Sequence, residues 1–305
     1  MEPIIFAGTP ETAATSLSGL LEAGYEVALV ITREDAPAGR KRTLTPSPVA
    51  TLAVEKGLPV LKTNRITEQD EAVIAESGAR LAVVVAFGVL LKQSTINLLP
   101  VGWFNLHYSV LPRWRGASPV QSALANGDRS TGVTLFKIDS GLDTGDIVGI
   151  AETMIEENEN ASRLLVRLTH LGLSLLSQEL PKLFAGIAKF VPQVGEPTFA
   201  PKTNRVMARI LTTDTAEQVL RKVRAYNPEP MAWLEFNGLP LRVLDAIPAS
   251  ENVSAGEITA EANRVLFGFA NDTALEVQAV QPAGKPVLKA SDWFRGTKPT
   301  ERRIS

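Results

Sequence analysis

The segment Arg80–Phe87 (RLAVVVAF) is apolar at every position from Leu81 to Phe87 and rich in β-branched side chains. A strand with two apolar faces belongs in a parallel sheet covered by helices on both sides. The rest of the first half is consistent with this. Ile4–Ala7 is a short apolar run ending at Gly8, Pro10–Leu21 follows with helical spacing, and Glu26–Ile31 (EVALVI) reads as a second strand. Alternation of this kind implies a right-handed, doubly wound α/β domain. Ligands on such sheets bind beyond the carboxyl ends of the strands. The residues to watch are therefore Phe87–Gly88 and those after Phe104.

A helix is expected over Ala161–Phe184, with Leu164, Leu168, Leu171, Leu175 and Leu180 along its apolar face. Val191–Lys202 carries Pro192, Pro197 and Pro201 with little periodicity, as a linker does. This divides the chain into a first domain at 1–190, a linker at 191–205 and a second domain at 206–305. The second domain opens with a helical pattern at Ala216–Ala225. Short strands follow at Ala232–Phe236, Leu241–Leu244, Val265–Phe269 and Leu275–Val280, which suggests a small β-barrel.

Composition excludes several kinds of chemistry. The 305 residues include no cysteine and two histidines. Disulfides, thiolate nucleophiles and cysteine zinc sites are ruled out, and a histidine-built metal site is disfavoured. The amino terminus carries Glu2, and Gly8, Pro10 and Glu11 interrupt its apolar run, unlike a signal peptide. No apolar stretch reaches the roughly 20 residues that span a bilayer. The expectation is a cytoplasmic monomer without membrane or DNA partners. Net charge is −2, so any RNA contact must come from a local basic patch.

The densest segment is FNLHYSVLPRWRG, 104–116. Period two places Asn105, His107 and Ser109 on one face if the strand persists that far. An imidazole can move protons near neutral pH, and an amide N–H can stabilise an oxyanion. A second segment, KIDSGLDTGDI at 137–147, lies between two expected strands, Gly132–Ile138 and Ile147–Ala151. Asp139, Asp143 and Asp146 could form a metal loop, although the EF-hand spacing does not fit. They could equally be hairpin turn residues. Gly8-Thr9-Pro10 matches neither GxGxxG nor a P-loop and reads as a structural turn. His170, inside the leucine-rich helix, reads as structural.

FNLHYSVLPRWRGASP followed by TGVTLFKIDSGLDTGDI resembles the folate-dependent formyltransferase family. IIFAGTPETAA, PAGR…TPSPV, VVVAFG, RAYNPEPMAWLEFNG and VQPAGKPVL match in the same order, so the resemblance spans essentially the whole chain. It implies a Rossmann-like catalytic domain followed by a barrel similar to an OB fold. The implied activity is formyl transfer from 10-formyltetrahydrofolate to the amino group of methionine carried by initiator tRNA, with no metal. Formyl transfer to a small amine such as glycinamide ribonucleotide is the alternative, and a non-catalytic folate- or tRNA-binding protein is a third. The extra domain of about 100 residues and a basic insertion argue against the first of these, which shares the Asn-His-Asp set, and the intact set disfavours the second.

The resemblance places the catalytic set on Asn105, His107 and Asp143. It places the folate-binding segments on Phe87, Gly88, Val89 and Leu90 and on Ser109, Val110, Leu111 and Pro112. The tRNA-facing insertion falls on Arg33–Pro48, with Arg40, Lys41 and Arg42 as its basic cluster. Two positions depart from the family pattern. Tyr108 replaces a glycine and is expected to narrow or reshape the pocket mouth, and Lys92 stands where proline is common. From Val206 to Ser305, twelve basic side chains balance twelve acidic ones. Arg221, Lys222 and Arg224 are that domain's best candidates for RNA contact, with a solvated helix face as the equal alternative.

Overall fold

The computed structural model describes residues 2–39, 42–261, 263–297 and 303–305. The chain forms two compact units. One comprises Met1–Pro119, Ser130–Met154 and Leu165–Ala200, and the other Val120–Arg129, Ile155–Leu164 and Pro201–Ser305. The first ten residues of the expected linker thus group with the first unit.

The chain to residue 200 runs β1 (Ile4–Gly8), α1 (Glu11–Glu22), β2 (Val27–Thr32), β3 (Ala36–Ala38), β4 (Thr43–Thr45), α2 (Pro48–Glu55), β5 (Val60–Lys62), α3 (Glu68–Glu76) and β6 (Leu81–Val85). It continues through α4 (Gln93–Ile96), β7 (Gly102–His107), β8 (Arg115–Gly116), α5 (Pro119–Asn126), β9 (Ser130–Lys137), β10 (Ile147–Met154), α6 (Ala161–Phe184) and β11 (Phe199–Ala200). Seven strands form one sheet in the order β10-β9-β7-β6-β1-β2-β5. β7, β6, β1, β2 and β5 pair in parallel, and β9 and β10 extend that sheet antiparallel.

The centre of the sheet is dry. Every residue of β1 and β6 is buried, as two-face coverage by helices requires. Gly8 permits the close packing of α1, because a Cβ there would stand 2.6 Å from the Ala13 Cβ and 2.8 Å from the Val85 carbonyl. From β1 the chain winds outward to β2 and β5, then returns to β6 on the other side of β1. The point where winding reverses opens a crevice at the carboxyl ends of β1 and β6. Thr9 Oγ1 bridges it by donating to the Phe87 carbonyl at 3.0 Å. The Gly8-Thr9-Pro10 turn is therefore filled by protein contacts.

The second unit contains α7 (Ala216–Tyr226), β12 (Trp233–Phe236), β13 (Leu239–Ala249), β14 (Ile258–Glu261), β15 (Arg264–Phe269), β16 (Thr273–Pro282), β17 (Leu288–Lys289) and α8 (Ala290–Thr297). Its sheet is antiparallel, in the order β12-β13-β16-β15-β14 with β17 on β16. The chain end joins the two edges. Ile304 bridges Phe236 on β12, and Arg303 bridges Glu257 beside β14, closing the sheet into a barrel. Val219 of α7, Phe267 and Trp293 fill the interior. Arg221 pairs with Glu217, and Lys222 with Asp214 at 2.5 Å. Arg224 donates to the Glu159 and Glu156 carbonyls at 2.8 and 2.9 Å. These three cations are thus engaged in holding the unit together.

Candidate active site

β7 ends at His107, and period two turns the side chains of Asn105 and His107 to the same face. Asn105 is half-buried, and its amide makes no hydrogen bond with any described residue. His107 is only 6% exposed. Its Nε2–H donates to the Trp114 carbonyl at 2.8 Å. A carbonyl cannot donate, so Nε2 carries the proton of the neutral ring and Nδ1 carries the lone pair. Nδ1 faces Asp143 Oδ2 across 3.8 Å. Burial pushes the imidazole below its ordinary value, opposed by the Asp143 charge and the Trp114 carbonyl. The ring is therefore neutral at neutral pH and gains or loses a proton at Nδ1, beside a carboxylate.

Asp143 comes from the loop between β9 and β10, which folds back toward His107. Asp139 Oδ1 pins that loop, accepting from Gly141 N–H at 3.0 Å and Thr144 Oγ1 at 2.7 Å. At Gly145 a Cβ would lie 1.7 Å from the Lys137 carbonyl, so only glycine allows the backbones to cross. Asp143 adopts a left-handed φ of 51°. Its Oδ2 accepts from Gly116 N–H at 2.7 Å. The Asp139 carboxylate thus serves as a turn residue. Among the described residues, no cluster of three or more His, Cys, Asp or Glu side chains is placed to hold a metal.

The expected continuation to Ser109 does not occur. The chain leaves the ladder at His107, and Ser109 turns inward to 1% exposure. Its Oγ donates to the Arg113 carbonyl at 2.5 Å, and its own carbonyl accepts from Thr134 Oγ1 at 2.7 Å. Leu111 is also buried, with its N–H on Thr134 Oγ1 at 3.1 Å, which leaves Val110 and Pro112 half-buried. On the other segment Phe87 packs into the core, Val89 lies against it, and Leu90 is 85% exposed. Gly88 turns the chain at φ 74°. Phe87, Ser109 and Leu111 are therefore framework for the two segments, while Gly88, Leu90, Val110 and Pro112 form their accessible edge.

Tyr108 does not line a pocket mouth. The ring is buried, and its hydroxyl lies 3.1 Å from Thr169 Oγ1 on α6, near Thr12 and Ser16 of α1. The space that a glycine leaves open at this position is filled as a helix-to-helix strut. Lys92 is exposed at the N-cap of α4. His170 is exposed on α6 and lines a groove of about 720 Å³ with Glu11, Glu22 and Glu55, which shares no residue with the site above.

The expected long loop is a hairpin. β3 pairs antiparallel with β4. Arg40 and Lys41 lie outside the described residues, and Arg42 is exposed with φ 50°. At the hairpin base, Arg33 and Glu34 both bond Asn64, and Asp35 pairs with Lys62 at 2.6 Å. Of the two acidic side chains at the base, Asp35 is thus paired with a cation, and Glu34 accepts from the Asn64 amide.

Sequence reasoning missed Trp114 and Gly116, the partners of His107 and Asp143. Both act through backbone atoms, which every residue type supplies. The available signal was the RWRG turn itself, where Trp114 holds a left-handed φ of 61° that is rare for a bulky residue.

Two family models match this chain. Formyl transferase covers residues 2–180, and the formyl transferase C-terminal domain covers 204–298. The chain belongs to the formyl transferase family. Curated relatives of this formyl transferase include methionyl-tRNA formyltransferases of Corynebacterium diphtheriae and Leifsonia xyli subsp. xyli. The first is 44% identical, covering 98% of each chain, and the second is 44% identical, covering 96% of this chain and 97% of that one. Solved structures of similar fold include an N-formyltransferase from Helicobacter canadensis with folinic acid and dTDP-3-aminofucose. Its TM-score is 0.69 at 18% identity, covering 92% of this chain and all (100%) of that one. HypX from Aquifex aeolicus, in complex with tetrahydrofolic acid, gives 0.68 at 18% identity over 96% of this chain and 47% of that one. At these identities the structural likeness establishes the fold alone. No helix among the described residues is long and apolar enough to cross a membrane.

Proposed function

We propose that this formyl transferase moves the formyl group of 10-formyltetrahydrofolate to the α-amino group of methionyl-tRNA, in the cytoplasm and without a metal. The observation that carries the reading is a neutral, buried His107 facing the Asp143 carboxylate beside the unpartnered amide of Asn105. Full-length relatives that carry the methionyl-tRNA formyltransferase name support the choice of acceptor.

In the reaction the neutral methionyl nitrogen attacks the formyl carbon. The new C–N bond forms, and the carbonyl oxygen becomes an oxyanion that the Asn105 amide stabilises. The attacking amine then carries a surplus proton, and the departing folate nitrogen needs one. His107 Nδ1 accepts a proton while Asp143 balances the imidazolium charge, and the same pair returns it to the leaving nitrogen. The old C–N bond breaks, releasing tetrahydrofolate and formylmethionyl-tRNA with no proton gained or lost overall. The edge formed by Gly88, Leu90, Val110 and Pro112 would receive the pterin. The basic run Arg40–Arg42 would meet the acceptor end of the tRNA, and the barrel unit would carry the rest of its contacts.

The test is a formylation assay with methionyl-tRNA, free methionine, glycinamide ribonucleotide and an amino-sugar nucleotide in parallel. Turnover of methionyl-tRNA far above the small amines is expected. Preference for any small amine would overturn the proposal.

A further inference from the structure

Gln193 lies in the proline-rich segment after the sheet, yet every hydrogen-bonding position of its side chain points into the site. Its Nε2 donates to the carbonyls of Asp143 at 2.8 Å and Gly145 at 2.9 Å. Its Oε1 accepts from Arg115 Nε at 3.1 Å and Nη2 at 2.6 Å. Two N–H groups and two lone pairs are the full complement of an amide. Arg115 stands between Trp114, whose carbonyl holds His107, and Gly116, whose N–H holds Asp143. The same segment braces that turn through its backbone. Arg115 N–H donates to the Thr198 carbonyl at 2.9 Å, Trp114 N–H donates to Thr198 Oγ1 at 2.9 Å, and β11 pairs with β8.

We propose that Gln193, anchored by Arg115, is a positioning residue that holds Asp143 in its left-handed backbone conformation and so aims the carboxylate at His107. A non-glycine residue at φ 51° is held there only when its surroundings over-determine it. The Gln193 amide fixes the carbonyls on both sides of Thr144, and the Gly116 N–H fixes the carboxylate. Without Gln193 the loop keeps its Asp139 turn, but the carbonyl of Asp143 is free to rotate. The inference rests on the reading of His107 and Asp143 as the reacting pair.

The chain has two histidines, so imidazole proton NMR follows His107 and His170 separately. The ring of His107 meets the Asp143 carboxylate, the Trp114 carbonyl and the edge of Phe136, of which Asp143 is the charged partner. Wild type, Gln193→Met, Asp143→Asn and the double variant are titrated. Gln193→Met keeps the chain length and removes all four hydrogen bonds. Gln193→Asn, too short to span Arg115 and both carbonyls, is the second variant should the first fail to fold.

The expected result is a fall of the His107 titration on Gln193→Met in the wild-type background, no further fall when Gln193→Met is added to Asp143→Asn, and an unmoved His170. In turnover, kcat should fall roughly 10- to 100-fold, as for displacement of a reacting group by about 1 Å, with KM held. An unmoved His107 titration would overturn the proposal, as would a shift that persists in full without Asp143 or an unchanged kcat. The titration involves no acceptor. Failure of the wild-type enzyme to formylate methionyl-tRNA would count against the proposed function while the titration still decides this one.

Discussion

Asp143→Asn removes one charge while keeping the shape and an acceptor for Gly116 N–H. The carboxylate stands 3.8 Å from His107 Nδ1, and the two side chains are 14% and 6% exposed. At an effective dielectric constant of about 20, a full charge pair at this separation is worth about 4 kcal/mol. The transition state gains whatever fraction of that charge has developed on the imidazole. Between half and full development the gain is about 2 to 4 kcal/mol, and at 1.36 kcal/mol per decade kcat should fall roughly 30- to 1,000-fold. Single-turnover formylation at saturating substrates measures this directly. KM for both substrates should hold, because the charge acts on the transition state. A loss smaller than about tenfold would mean that little charge develops on His107, and would refute the proton-transfer assignment.

The same substitution has a signature in stability. His107 is already held below its ordinary value, so the unfolded chain takes up the proton first as pH falls. The stability conferred by keeping the ring neutral is complete above pH 6.5, the ordinary value. It is lost as pH falls through the window between that value and the depressed folded one. Asp143→Asn removes the charge that raises the folded value and widens the window downward. Urea unfolding from about pH 7 to about pH 5 should show the variant losing stability over a longer range than wild type. Parallel curves would show that Asp143 does not act on the imidazole.

Asn105→Ala should lower kcat by about 10²–10³, the usual loss of one oxyanion donor, without moving the thermal midpoint, because its amide has no hydrogen-bond partner among the described residues. A lowered midpoint would make the residue structural. Tyr108→Phe should cost about 1 kcal/mol in chemical denaturation with kcat and folate KM unchanged. A raised folate KM at unaltered stability would return Tyr108 to the pocket mouth. Replacing Arg40, Lys41 and Arg42 together by alanine should weaken methionyl-tRNA binding and flatten its salt dependence by about 2 in log–log slope, leaving folate affinity alone. An unchanged slope would leave the hairpin as a surface excursion.

What the sequence discloses follows from which forces leave a mark on side-chain type. β6 was legible because a strand buried on both faces must be apolar throughout. The bounds of α6 at 161 and 184 were legible because its leucine stripe repeats over many turns. β13 runs to Leu239–Ala249, well beyond Leu241–Leu244. Pro240 and Pro248 read as breaks, and irregular register around Asp245 spoils the alternation. The hairpin β3–β4 was missed because its six residues are exposed and pair only with each other. In the site, Asn105 and His107 stood out because amide and imidazole chemistry is carried by side chains, whereas Asp143 was one of three carboxylates and only the family resemblance singled it out. Ser109 misled because period two holds only while the strand does.

The framework around those three residues obeys a different logic. His107 is oriented by a carbonyl and Asp143 by an amide N–H. Proline content drew the end of the first domain at 190, yet Gln193 and Thr198 beyond that point bond Arg115, Trp114 and the carbonyls of Asp143 and Gly145. A segment with no periodicity and three prolines looks like a tether because none of its own side chains builds a core. Its order comes from hydrogen bonds to a turn about 80 residues earlier, as Gln193 to Arg115 shows with a separation of 78. Joining the two segments closes a long loop, at an entropic cost that grows only slowly with loop length. The groups proposed to react and the residues proposed to aim them are read from opposite kinds of sequence, one chemically conspicuous and one outwardly featureless.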